Sequence, residues 1–203
     1  MTQWLSILEI SATIIGAIYM YLEYKAKYAL WYVGLVWSIL YVYLFWEQGM
    51  ISWAITWIYY FFANVYGIFA WRNEKGETNE PPTHIKKSWI IPFFVITAIL
   101  MVPLFFLEVI YNPHAGNMWL VFSTVFSTAI GFTGMFLLAK KVVEQWFVWI
   151  VVNFIYVVVN LYTGFADSKP THYFTVLLFA TYTVISFLGY VRWKKMAAVA
   201  DKN

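Results

Sequence analysis

The sequence contains no cysteine, six prolines and very little charge. Without cysteine it can form neither disulfides nor thiolate metal sites, and it has no cysteine nucleophile. Only 11% of its 203 residues are charged, against about 25% in soluble domains. With 63% hydrophobic residues and a mean hydropathy of +0.68, the chain is predicted to be a polytopic membrane protein. Its formal charge of +3 is too small to indicate a nucleic-acid partner.

Seven apolar stretches are long enough to cross a bilayer core of about 30 Å as helices. They lie at about 4–24, 30–46, 51–71, 89–111, 118–139, 146–162 and 173–193. The one long polar connection, at 73–88, contains Pro-Pro and mixed charges and is typical of a surface linker. The sequence therefore predicts an all-α protein with seven transmembrane helices, forming a single transporter-like domain over 1–203.

Positive charge is distributed unevenly between the two ends of the predicted spans. Of the 13 Lys and Arg residues, all but Lys169 fall in the connections on one side or at the C-terminus. Cytoplasmic loops of membrane proteins are enriched in Lys and Arg. We therefore predict that the N-terminus is outside and the C-terminus is in the cytoplasm.

The chain can be aligned with itself. At an offset of 115 residues the matching pairs are Gly16/Gly131, Trp31/Trp146, Tyr41/Tyr156 and Gly49/Gly164. After seven extra residues the offset becomes 122, and the pairs are Tyr60/Tyr182, Gly67/Gly189, Trp71/Trp193 and Arg72/Lys194. This predicts repeat 1 at about 4–72, a linker helix at about 86–112 and repeat 2 at about 117–195. One linker helix gives both halves the same polarity, as in the 3+1+3 parallel repeat of full-length SWEET-type transporters.

The sixth span carries the most distinctive pattern in the chain. Aromatic and amide side chains recur there every three or four residues, at Trp146, Trp149, Asn153, Tyr156 and Asn160. This spacing places all five on one face of a helix whose other faces are apolar. Such a face needs a polar partner, and we predict that it binds a ligand.

Repeat 1 keeps only part of this stripe. The equivalent residues are Trp31, Gly34, Ser38, Tyr41 and Phe45. Trp149, Asn153 and Asn160 therefore have no counterpart of the same type. Packing should be similar in both halves, whereas a ligand needs to be bound only once, so the asymmetry favours a substrate site. Interhelical hydrogen bonding is the alternative role of the amides.

Three further residues are candidate substrate contacts. Trp37 lies deep in the second span, where its indole N–H needs a partner. Asn64, in an N-x-x-Y-G motif, fits helix packing and binding equally well. Gln145 adjoins the stripe at the predicted cytoplasmic edge, where solvation is the alternative. Nine tryptophans near span ends are instead predicted to be membrane-interface anchors: Trp4, Trp31, Trp46, Trp53, Trp71, Trp89, Trp119, Trp146 and Trp193. Of these, Trp146 also belongs to the stripe.

Ionisable residues do not form a chain through the predicted spans. His84, His114 and His172 are predicted to lie in loops, and the acids at span ends are predicted to be solvated: Glu23, Glu47, Glu108 and Glu144. Proton-coupled pumps usually carry such a chain, so transport would follow the substrate gradient. The sequence also lacks catalytic motifs such as H-E-x-x-H and G-x-S-x-G. We expect neither an enzyme nor a bound cofactor or metal.

Three motifs resemble those of the PnuC-type vitamin transporters, whose best-known members carry nicotinamide riboside. They are N-x-x-Y-G-x-x-x-W at 64–71, E-Q-W-F-V-W-I-V-V-N at 144–153 and G-Y-V-R-W-K-K at 189–195. The resemblance implies a SWEET-like fold in the bacterial cytoplasmic membrane and a homotrimer. It also implies substrate contacts at Trp146, Trp149 and Asn153.

The resemblance further implies facilitated diffusion, in which a cytoplasmic kinase traps the imported vitamin by phosphorylation. Nicotinamide riboside and thiamine both carry a cationic aromatic ring, which suits an aromatic cage. The asparagine after W-x-x-W favours nicotinamide riboside, whereas the first-span sequence Y-L-E-Y-K is closer to a branch that includes thiamine carriers. A non-transporting receptor or scaffold, using the stripe for helix assembly, is the alternative from another class.

Overall fold

The computed structural model describes residues 3–72, 80–111, 116–167 and 171–200. Within these ranges the chain forms seven α-helices: α1 Gln3–Tyr24, α2 Leu30–Glu47, α3 Ile51–Trp71, α4 Lys87–Tyr111, α5 Met118–Ala139, α6 Gln145–Asp167 and α7 Thr171–Ala200. Each predicted span falls within one helix, which confirms the all-α architecture. α6 and α7 continue past the apolar runs because helix propensity does not end where hydropathy falls.

Five of the helices in the described ranges are long and apolar enough to cross a membrane, namely α2, α4, α5 and most of α6 and α7. α1 contains a shorter apolar segment, Ile10–Tyr24. α3 has no charged residue, but it is rich in Trp and Tyr, whose amphipathic rings lower its mean hydropathy.

The helices pack as a ring of six with one helix outside it. Successive neighbours are α1, α2, α3, α5, α6 and α7, and α7 closes the ring against α1. α4 packs outside, against α5 and α3, with the hydroxyls of Thr97 and Thr133 2.9 Å apart. Contacts α3–α5 and α7–α1 join the two predicted halves, so side chains that face the centre come from both.

The first helix of each predicted half ends with the same backbone geometry. Ala26, after α1, and Lys141, after α5, have positive φ values of 51° and 52°. In both places this residue's amide bonds the carbonyl three residues earlier, and the next amide bonds the carbonyl five residues earlier. These bonds make a Schellman-type helix end. The two residues are separated by 115 positions, the offset found in the sequence.

Four fully buried tryptophans make matching contacts in the two halves: Trp31, Trp71, Trp146 and Trp193. The Trp31 indole covers Gly67 so closely that a Cβ atom there would overlap it, and a Cβ at Gly189 would lie 2.5 Å from the Trp146 ring. Trp31 meets Trp71 edge to face at 5.3 Å, and Trp146 meets Trp193 edge to face at 5.7 Å. We call these four residues the tryptophan cluster.

Two indole N–H groups of the tryptophan cluster join the halves at one end of the ring. Trp71 Nε1 donates to the Ala139 carbonyl at 3.0 Å, and Trp193 Nε1 donates to the Glu23 carbonyl at 3.1 Å. The prediction that the cluster residues are interface anchors is therefore wrong, because their indoles fill the ring. Trp46 and Trp119, 62% and 52% exposed, are placed as anchors would be.

Residues 80–86 of the predicted surface linker pack against the α5–α6 connection, and residues 73–79 lie outside the described ranges. Thr83 exchanges backbone hydrogen bonds with Lys141 and Val143. The Glu144 carboxylate accepts from the Ile85 amide at 2.8 Å and lies 2.7 Å from His84 Nδ1. The connections that carry most of the cations thus meet at one end of the ring, which we call the basic end. Lys169 lies outside the described ranges.

Candidate functional site

Three polar side chains meet inside the ring, near the basic end. Glu23 of α1 is 3% exposed and Gln145, the first residue of α6, is fully buried. The Gln145 amide and the Trp149 indole lie near the Glu23 carboxylate. Yet Glu23 Oε1, both Gln145 amide atoms and Trp149 Nε1 have no hydrogen-bond partner among the described residues. Buried polar groups without partners are costly, so this arrangement suits a ligand that supplies the missing bonds.

Aromatic rings from the first half line the same space. Tyr19, one turn before Glu23, lies within electrostatic range of Glu23 and Tyr60. Its ring is 5.3 Å from that of Trp37, whose indole N–H also has no partner among the described residues. Trp37 and Trp149 both pack against the buried core that contains Tyr19. We call Tyr19, Glu23, Trp37, Gln145 and Trp149 the central cluster.

Burial contradicts the solvated positions predicted for Glu23 and Glu108, and the solvated alternative considered for Gln145. Gln145 is fully buried although it is the first residue of α6. Glu23 is buried because the α7 indole that bonds its carbonyl covers the end of α1. Glu108 of α4 is also buried, at 5% exposure, and it lies within electrostatic range of Tyr156. The other two acids predicted to be solvated are not buried in this way. Glu47 is exposed, and the Glu144 carboxylate accepts a hydrogen bond from the Ile85 amide of the linker.

The predicted α6 stripe is divided between two surroundings. Trp146 is fully buried and repeats the contacts of Trp31 in the first half, and neither indole nitrogen has a hydrogen-bond partner within the described ranges. Packing therefore accounts for its position. Trp149 reaches toward Gly131 of α5, where a Cβ atom would lie 3.8 Å from its ring. Of the two stripe indoles, Trp149 is therefore the one that belongs to the central cluster.

Farther along α6, the stripe residues contact neighbouring helices or their own backbone. Asn153 Nδ2 donates to Ser186 Oγ of α7 at 3.3 Å. Tyr156 stacks on Phe179 of α7, with centroids 4.8 Å apart. Asn160 Nδ2 donates to the Tyr156 carbonyl of its own helix at 2.8 Å. The structure brings Trp149 and Gln145 together with Glu23, but it does not bring Asn160 there.

The two amides Asn64 and Asn153 occupy exchanged positions. Asn153 aligns with Ser38, and Asn64 aligns with Ser186. In the second half the amide is on α6 and the hydroxyl on α7, whereas in the first half the hydroxyl is on α2 and the amide on α3. Asn64 donates to the Tyr60 carbonyl at 2.8 Å, and its Oδ1 has no partner in the described part of the chain. The amide at Asn153 thus has a counterpart, contrary to its presumed uniqueness.

Sequence reasoning missed Glu23 and Tyr19 as site residues. Both lie in the motif-bearing end of α1, but Glu23 is two positions from Lys25, a pattern typical of a solvated helix end. Only the closure of the ring by α7 shows that the acid is enclosed. His84 lies outside the helices as predicted, His172 is the second residue of α7, and His114 is outside the described ranges. No group of metal-binding side chains occurs among the described residues.

Comparisons with known proteins agree with this architecture. The family model described as "Nicotinamide mononucleotide transporter" matches residues 6–195. Relatives named nicotinamide riboside transporter PnuC, from Escherichia coli K12 and Shigella flexneri, are each 24% identical over 187 residues, covering 79% of this chain and 76% of theirs. The crystal structure of the vitamin B3 transporter PnuC matches with a TM-score of 0.70 at 17% identity, covering 97% of this chain and 83% of that one.

Proposed function

This chain belongs to the nicotinamide mononucleotide transporter family, and on that premise we propose that it carries a small cationic vitamin across the membrane. The proposal agrees with the relatives, which are named as transporters, and with the apolar helices. We propose nicotinamide riboside as the substrate, with thiamine as the second candidate, and the central cluster as its binding site.

The observation that carries this proposal is the enclosed carboxylate of Glu23 between aromatic rings. A cation over an indole or phenol ring gains up to about 2 kcal/mol when desolvated. A carboxylate buried without a paired cation is unfavourable, and a pyridinium or thiazolium ring would supply the missing charge. The Gln145 amide and the Trp149 N–H could then bond polar groups of the ligand.

Both vitamins fit this chemistry, and each has one feature in its favour. The asparagine at 153, which follows W-x-x-W, supports nicotinamide riboside by analogy with the family. The first-span sequence Y-L-E-Y-K, which contains Glu23, supports thiamine by analogy with the branch of the family that includes thiamine carriers. An uptake experiment with both vitamins is therefore needed to decide between the two candidate substrates.

We further propose that access alternates between the two ends of a 3+1+3 parallel repeat. The tryptophan cluster and its two interhelix hydrogen bonds close the basic end in this structure. Opening toward that side requires these contacts to separate. By the enrichment of Lys and Arg in cytoplasmic loops, we place the basic end in the cytoplasm, with the N-terminus outside.

The remaining parts of the proposal follow from the family resemblance. We propose uniport in the bacterial cytoplasmic membrane, with trapping of the vitamin by a cytoplasmic kinase, and a homotrimer as the assembly. Glu23 and Glu108 are buried acids, and buried acids in transmembrane helices can relay protons. Proton-coupled transport is therefore the mechanism to test against uniport. A non-transporting receptor or scaffold, which uses the α6 stripe for helix assembly, is the alternative function.

Uptake into proteoliposomes tests the proposal. The purified protein is reconstituted, and labelled nicotinamide riboside or thiamine is added without ion gradients. We expect saturable uptake of one vitamin until its concentrations are equal on both sides. Accumulation only under an imposed proton gradient would contradict uniport. Saturable binding without uptake would identify a receptor, and the absence of both would overturn the substrate assignment.

A further inference from the structure

A second cavity lies at the basic end, outside the ring. It has a volume of about 880 Å³. The α1–α2 connection forms one wall, residues 80–81 form another, and the last turns of α7 form the third. None of the central cluster residues lines it. The vitamin site therefore does not account for this cavity.

The cavity has an excess of positive charge. Glu80 is the one acid in its lining. Five lining residues are cationic: Lys25, Lys27, Lys141, Arg192 and Lys195. Lys141 Nζ donates to the Glu80 carbonyl at 2.9 Å and lies 4.6 Å from the Trp71 ring centroid, so it is held at the inner wall. Burial lowers the pKa of Lys141, and Glu80 opposes this shift.

Arg192 of α7 also lines the cavity. Its Cζ atom is 4.9 Å from the Tyr24 ring centroid. Its Nε atom is buried and has no hydrogen-bond partner among the described residues. The cavity thus presents guanidinium and ammonium donors to an anion.

One wall of the cavity is apolar and faces outward. Leu188 and Val199 of α7 line it and are 51% and 61% exposed. Val191 and Met196 complete this wall. A helix that exposes such residues beside the bilayer is a surface for acyl chains. A basic pocket bordered by an apolar helix face combines the two parts that a phospholipid headgroup site requires.

We propose that this cavity binds the phosphate of an anionic phospholipid, with the lipid's acyl chains lying along α7. Arg192 and the lysines contact the phosphate, and Leu188 contacts the chain. A soluble phosphate ester has the same anionic group but no part that would use the apolar wall. The lipid therefore fits the whole cavity, whereas the soluble ester fits only its charged half.

Lipid retention measured by native mass spectrometry tests this assignment. The full chain is exchanged into detergent with equal amounts of phosphatidylglycerol and phosphatidylcholine. The test variant is Lys25→Gln with Lys195→Gln, and the matched control is Lys86→Gln with Lys87→Gln, which removes the same charge outside the cavity. We expect the test variant to retain phosphatidylglycerol roughly 30-fold more weakly, which corresponds to about 2 kcal/mol for two cations. The control should retain it like the unmodified protein.

Two further measurements separate the possible ligands. Leu188→Asn leaves the charges in place and should weaken phosphatidylglycerol retention, because it removes the chain contact. Competition with glycerol 1-phosphate should have little effect. Equal loss in test and control variants, no preference over phosphatidylcholine, or full displacement by glycerol 1-phosphate would each overturn the lipid assignment. Arg192→Gln gives an independent variant of the same site.

Discussion

The two halves of the ring share their packing but differ in their polar interior. Trp31 over Gly67 and Trp146 over Gly189 are equivalent contacts, and each half ends its first helix with a positive-φ residue at an aligned position. The halves differ at the stripe position that follows Trp31 and Trp146, which is Gly34 in the first half and Trp149 in the second.

This difference shows how a repeated scaffold can hold one asymmetric site. A Cβ atom at Gly34 would overlap Asn64, so the first half fills this space from α3. In the second half Ser186 replaces Asn64, and the large ring comes from α6 as Trp149. Its indole then meets Glu23, which aligns with the apolar Leu138. The packing residues keep the halves alike, and the indole–carboxylate pair makes them different.

The largest effect is expected where the halves are most alike. Gly67→Leu and Gly189→Leu each place a branched side chain against a fully buried indole. Overpacking of this kind costs about 3 kcal/mol or more when nothing can move. Thermal unfolding in detergent should show a similar, large loss for both variants. Gly116→Leu is the control, since no atom lies near its missing Cβ. A large loss in one half alone would contradict equivalent packing.

The next effect should separate Trp149 from its neighbour Trp146. Trp149→Phe removes the N–H and weakens the cation–π contact, worth about 2 kcal/mol when desolvated. Substrate affinity, measured by calorimetry, should therefore fall roughly 30-fold with little change in unfolding temperature. Trp146→Phe should lower the unfolding temperature and leave affinity nearly unchanged. The reverse pattern would assign substrate contact to Trp146.

A smaller effect is expected at the end of α1. Ala26 holds a positive φ, which costs a residue with a Cβ atom about 1 kcal/mol. Ala26→Gly should stabilise the protein by up to that amount, less the greater freedom of glycine in the unfolded chain. Chemical unfolding measures the difference. A clear destabilisation would contradict the helix end described for α1.

The smallest effect concerns the exchanged amide and hydroxyl. Asn153→Ser with Ser186→Asn gives the second half the arrangement of the first. Hydrogen bonds between membrane helices average about 0.6 kcal/mol, so unfolding should change little. Affinity should also stay within a few-fold if the pair is mainly structural. A tenfold loss of affinity with unchanged stability would place Asn153 in direct contact with the substrate.

The helices could be predicted from sequence because apolar runs and Lys and Arg positions are local signals. The aligned tryptophans and glycines indicated the internal repeat, but the sequence assigned these tryptophans to the membrane interface because their burial depends on how the helices close the ring. The division of the α6 stripe was not predictable, because Trp146 and Trp149 differ only in which helix each one meets. Glu23 was missed for the same reason, since its enclosure depends on α7, which is distant in sequence.

In the proposed site, Glu23 and the rings around it recognise a cation. Calorimetry with nicotinamide riboside and its neutral dihydro form, on the unmodified protein and Glu23→Gln, tests this most directly; thiamine replaces nicotinamide riboside if uptake favours it. The account predicts that the unmodified protein binds the cation at least tenfold more tightly than the neutral form. Glu23→Gln should lose most of that preference while remaining folded. Equal affinity of the unmodified protein for both forms, or an unchanged preference in Glu23→Gln, would contradict the account.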